Sequence, residues 1–145
     1  MLKLITKFLI YKNKSLFSKT KSENKPLALL VDDFPILYKL MENKLSQTDF
    51  RIVRVKNYFE ALHSAKREKI AILILNMDLP IFNCFDLGDL IRKRFPKKNQ
   101  PIVLGYTQQF YPKEKITQSN VNDVIFLKNK DQNLCFSIKS WMNYI

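Results

Sequence analysis

The stretch ILILNMDLPIFN, Ile72 to Asn83, decides the fold of this chain. Branched apolar residues run without a break into Asn76, and Asp78 and Pro80 follow within the next four positions. A run this short and continuous suits a strand covered on both faces, as in a parallel sheet, rather than one with a wetted side. The polar residue at its carboxyl end then emerges at the edge where such sheets hold their ligands.

Working outward, short apolar runs alternate with helical stripes from Leu27 onward. The expected strands are LALLV (Leu27 to Val31), RIVRV (Arg51 to Val55), IAILIL (Ile70 to Leu75), PIVLG (Pro101 to Gly105) and DVIFL (Asp123 to Leu127). Between them Leu37, Leu40, Met41 and Leu45 fall at helical spacing, as do Tyr58, Leu62 and Ala65, and Leu87, Leu90, Ile91 and Phe95. The segment around Ile116 carries the weakest helical pattern. A last helix is expected to place Leu134, Ile138, Trp141 and Ile145 on one stripe, with Asp131 as its cap and Trp141 as a core anchor. Repeated βα units imply an α/β fold, a doubly wound five-stranded parallel sheet of the flavodoxin-like kind. It is expected to occupy residues 27–145, behind a basic tail at 1–26.

Composition narrows the chemistry. With 145 residues the chain is long enough to bury a core without disulfides or metals. Cys84 and Cys135 lack any metal-ligand spacing and read as buried small apolar residues in a reducing compartment. With two glycines, Gly88 and Gly105, the chain has no glycine-rich phosphate cradle of the G-x-x-x-x-G-K or G-x-G-x-x-G type, which leaves nucleotide hydrolysis little support. His63 stands alone in the second helix pattern and reads as a surface histidine.

Half of the +12 net charge sits in the tail, where Met1 to Pro26 carries seven lysines against the single acid Glu23. There Leu2, Ile5 and Leu9 share one helical face and Lys3, Lys7 and Lys14 another, so the tail is partly amphipathic but too short to span a bilayer. It reads either as a solvated extension or as a contact for membranes or acidic surfaces. The expected localisation is cytoplasmic, peripheral at a membrane if the tail engages one.

The strand ends collect Asp32 and Asp33 after the first strand, Asn76 and Asp78 after the third, Tyr106 and Thr107 after the fourth, and Lys128 after the fifth. In LLVDD, ILILNMDLP and FLKNK, at these relative offsets, the chain resembles the receiver domain of two-component response regulators, from Leu27 to Ile145. In that family an aspartate accepts a phosphoryl group from a phosphohistidine, an acidic pair helps hold Mg²⁺, a Ser or Thr meets the phosphoryl oxygens and a lysine neutralises them. The resemblance gives Asp32 and Asp33 the acidic, metal-holding place and Lys128 the phosphoryl-contact place. It puts Asn76 where the acceptor belongs, Tyr106 where Ser or Thr belongs with Thr107 one step beyond, Ile125 at the aromatic switch position, Cys84 at the loop glycine and Asn129 at the proline. An amide cannot form the acyl phosphate. The implied protein is a degenerate receiver, or pseudo-receiver, and not an enzyme. It would take no cofactor beyond a weak Mg²⁺ at Asp32 and Asp33, and its partner would be a histidine kinase, another receiver or an output protein in a phosphorelay.

Two other readings stand beside it. Asp78, two residues beyond Asn76, is an alternative acceptor if the loop rearranges. The charge and RKRFPKK, Arg92 to Lys98, suggest nucleic-acid binding, although cations at a helix C-terminus are expected from the macrodipole and interleaved stacking aromatics are missing.

Overall fold

The structure, a computed structural model, describes residues 24–45, 48–80, 83–127 and 132–145. Tail residues 1–23, Lys128, Asn129 and the expected cap Asp131 lie outside them.

Five strands, β1 (Leu27–Val31), β2 (Arg51–Val55), β3 (Ile70–Asn76), β4 (Ile102–Thr107) and β5 (Asp123–Phe126), form one sheet in the order β2-β1-β3-β4-β5. All neighbours are parallel. The crossovers are α1 (Pro35–Leu45), α2 (Tyr58–Arg67), α3 (Cys84–Lys93) and α4 (Lys113–Gln118); α5 (Gln132–Met142) follows β5, and a 3-10 turn at Lys97–Asn99 precedes β4.

Strand alternation sorts the core into two layers. Leu27, Leu29, Val31, Leu73 and Leu75 pack with Ala61 and Ala65 of α2 and Leu87 and Ile91 of α3. Ala28, Leu30, Ile72 and Ile74 face the other way, toward Met41 and Leu45 of α1 and Leu134 and Ile138 of α5. Ile72 to Leu75 are at most 1 % exposed, so β3 is covered on both faces as its sequence requires. Each of these side chains gains about 2 kcal/mol by leaving water, before conformational entropy is set against it.

The last helix differs from its expected stripe. Leu134, Ile138 and Met142, spaced four apart, enter the core, whereas Ile145 is 58 % exposed. Trp141 is only partly buried, and its Nε1–H donates to Asp123 Oδ2 at 3.2 Å. The indole has a polar end to satisfy, and the start of β5 offers a carboxylate at the rim. Leu90 is likewise 43 % exposed, on the outer flank of α3. His63 is exposed, and both cysteines are buried and outside any disulfide among the described residues.

Candidate functional site

Parallel strands bring the ends of β1, β3 and β4 to one edge, where a closed set of hydrogen bonds joins residues far apart in the chain. Asp32, just past β1, is 2 % exposed. Its Oδ1 accepts from the backbone N–H of Phe34 at 3.0 Å and from Asn76 Nδ2 at 3.1 Å. Its Oδ2 accepts from the hydroxyl of Tyr106. Asn76 uses its other end as well, since Oδ1 accepts from the N–H of Asp78 at 2.9 Å. Each end of the amide therefore meets a partner of the opposite hydrogen-bonding kind, which fixes its orientation.

Asp78 is held in the same way. One carboxylate oxygen accepts from Thr107 Oγ1 and the other from the N–H of Gln108 at 2.8 Å. Thr107 is fully buried and accepts in turn from Gln109 N–H at 2.9 Å. Asp33 stands apart, its side chain exposed beside this network. The structure thus brings Asp32, Asn76, Tyr106, Thr107 and Asp78 together and leaves Asp33 at the rim; Lys128 lies outside the described residues.

Tyr106 and Thr107, expected beyond the fourth strand, are its last two residues, and Asn76 pairs in register with Tyr106. Burial, reinforced by the bond to Asp32 and by the negative charges of Asp32, Asp33 and Asp78, pushes the Tyr106 phenol far above the ordinary tyrosine range. At neutral pH it is a hydrogen-bond donor to Asp32. Burial also pushes the Cys84 thiol up to about 11, so at neutral pH it is protonated and no nucleophile.

A residue that sequence reasoning passed over completes the edge. Arg54 of β2 donates from Nη1 to the carbonyl of Asp32 at 3.0 Å and to that of Asp33 at 3.4 Å. Its signal was a cation between the valines of β2, paired in register with Leu30 just before the acid pair.

Mg²⁺ needs oxygen lone pairs converging on one point. Here O–H and N–H groups converge on Asp32, presenting the positive ends of their dipoles where a cation would sit, and the Asn76 oxygen is committed to a backbone N–H. Among the described residues no group of three or more His, Cys, Asp or Glu side chains could hold a metal ion. Asp32 and Asn76 are thereby committed, and the exposed Asp33 carboxylate is the oxygen donor of the acid pair left open to a cation.

Comparison with known proteins agrees with this architecture. The model of the response regulator receiver domain matches residues 28–139, so the chain belongs to that family, the receiver domains of two-component signalling. A response regulator from Thermotoga maritima superposes with a TM-score of 0.67 at 22% identity, over 82% of this chain and 98% of that one. The receiver domain of a sensor histidine kinase from Pseudomonas aeruginosa, whose structure has a magnesium ion coordinated in the active site cleft, gives 0.63 at 21% identity, over 82% and 98%. Hybrid signal transduction histidine kinase C of Dictyostelium discoideum is 25% identical over 124 residues, 81% of this chain. The chain spans about a tenth of the length of that relative.

Proposed function

We propose that this chain is a receiver that has left phosphoryl chemistry and works as a protein-interaction module in a phosphorelay, with a histidine kinase, another receiver or an output protein as its partner. The observation that carries the reading is Asn76, a carboxamide at the end of β3 bonded at both ends. Acyl-phosphate formation needs an ionised carboxylate with a free oxygen aligned for attack on phosphorus. Asn76 supplies neither the charge nor the nucleophile. Tyr106 supports the same conclusion, because its hydroxyl takes up Asp32 Oδ2 with a buried hydrogen bond.

Asp78 is a poor substitute acceptor, since both of its oxygens take hydrogen bonds from the end of β4. Esterifying either oxygen would weaken a hydrogen bond that ties the loop to β4, because it removes the charge that strengthens the bond. Crowded carboxylates repel by roughly 4 kcal/mol at about 4 Å and an effective dielectric of 20. On this reading an amide at position 76 and neutral donors on Asp32 relieve that repulsion without a metal, and the fold keeps one conformation.

The test is incubation of the full chain with acetyl phosphate and Mg²⁺, followed by intact mass measurement. The expected result is an unmodified chain. A base-labile phosphoryl mass would overturn the proposal, and its loss in Asp78→Asn would locate the acceptor. In Asn76→Asp, weak Mg²⁺ binding and slow, labile phosphorylation are expected, limited by Tyr106 and lost when Lys128→Ala is added.

A further inference from the structure

In a doubly wound sheet a crevice opens between the loops that follow two neighbouring strands, where one connection turns to one face of the sheet and the next turns to the other. Here that point lies between β1 and β3. From β1 the chain passes into α1, which packs in the layer of α5, whereas from β3 it passes into α3, which packs in the layer of α2. A cavity of about 240 Å³ lies at these strand ends, with Asp33 and Asn76 in its lining.

The walls of the cavity are mostly apolar, with Val31 and Leu75 from the strand ends, Leu79 from the loop after β3 and Leu87 from α3. Val31, Leu75 and Leu87 are at most 3 % exposed, so these walls belong to the packed core and hold their shape. They gain by meeting an apolar group. Asp33 and Lys56 complete the lining, both exposed and neither in an ion pair among the described residues. They are opposite in sign. A ligand with only a negative charge would be drawn to Lys56 and repelled by Asp33, and one with only a positive charge would meet the reverse. A molecule that carries both charges close together on one apolar chain suits the two side chains and the walls at once. The cavity is smaller than the about 300–1,000 Å³ of sites that enclose drug-sized ligands, so that molecule is small.

We propose that this cavity binds a free α-amino acid with an apolar side chain, its ammonium at Asp33, its carboxylate at Lys56 and its side chain among Leu75, Leu79 and Leu87. Such binding goes beyond the interaction role and does not depend on it, because these residues lie outside the hydrogen-bonded set around Asp32. A peptide segment of a partner is the competing occupant. The two opposite charges disfavour it, since they match the free ends of a single residue and not the neutral amide links within a chain.

The experiment is titration of the methyl-labelled full chain with L-leucine, followed by NMR. Saturable shifts are expected at the methyls of Val31, Leu79 and Leu87, and none at Leu30 and Leu134 in the opposite layer. Affinity should fall about fourfold for each buried methylene removed, so alanine and then glycine bind more weakly. Isopentylamine, which lacks the carboxylate, and isocaproate, which lacks the ammonium, should each bind at least about threefold more weakly than leucine. Asp33→Asn and Lys56→Gln should each lower the leucine affinity about three- to fivefold. Both replaced side chains are exposed, and the two analogues test the same charges in the unaltered chain. No saturation by about 10 mM leucine, equal affinity for glycine, shifts confined to the opposite layer, undiminished affinity in either charge variant, or either analogue binding as tightly as leucine would each overturn the proposal. Tighter binding of an apolar peptide blocked at both ends would overturn it in favour of a protein partner.

Discussion

Tyr106 is the residue on which the edge closes. Its hydroxyl is buried against Asp32, and replacing it with Phe removes one of three donors from a carboxylate that is 2 % exposed. Leaving that oxygen unsatisfied should cost about 1–3 kcal/mol in urea unfolding, while the ring still fills its place. The same bond sets an alkaline limit. The folded chain holds the phenolic proton above the ordinary value of 10.0, where the unfolded chain gives it up. The contribution is therefore complete below pH about 10 and declines as the pH rises further. Tyr106→Phe should flatten the fall of stability between pH about 9.5 and 11; an unchanged slope would assign it to Tyr38 and Tyr111, whose pKa values burial also raises. No short stretch of sequence announces this bond, because its partners lie 74 residues apart.

At the scale of elements, caps and close approaches decide which strand ends reach the edge. Asn57 accepts from the N–H of Glu60 at 3.0 Å, and Glu60 reaches back to the N–H of Lys56 at 2.8 Å, closing the start of α2. Asn57→Ala should lower stability by about 1 kcal/mol in thermal or chemical unfolding. Gly105 in β4 leaves room for Met77, since a Cβ there would overlap its sulfur and lie 3.0 Å from its Cγ. Met77 is 4 % exposed and has little freedom to move, so Gly105→Ala should cost about 1–3 kcal/mol. The three central strands were legible because a buried parallel strand writes itself as an unbroken apolar run, whereas the edge strands β2 and β5 carry Arg51, Arg54 and Asp123 and showed as shorter apolar pairs. The end of β4 was not, since Tyr106 and Thr107 look like loop residues until Asp32 and Asp78 are seen to receive them. The stripe through Trp141 and Ile145 misled because helical spacing alone does not mark where α5 leaves the core. The short α4, six residues long with none buried, matches the weak pattern around Ile116.

For the whole molecule, the two edges of the sheet divide the work. The carboxyl edge is a hydrogen-bonded network of amide, phenol and carboxylates, and the amino edge is cationic. Among the described residues the two buried layers are built from residues 27–142, and the lysine density of the tail disfavours its burial. Deleting Met1–Glu23, which keeps Lys25 and its bond to Thr48, should move the melting temperature by less than about 2 °C. A larger fall would show that the tail packs on the domain. The amide at the end of β3 also bears on time. A carboxamide stores no acyl phosphate, so under the function proposed above nothing at Asn76 decays by hydrolysis and the edge carries no internal clock. The duration of any signal routed through it then depends on how long a partner stays bound and how much of the chain is made and degraded.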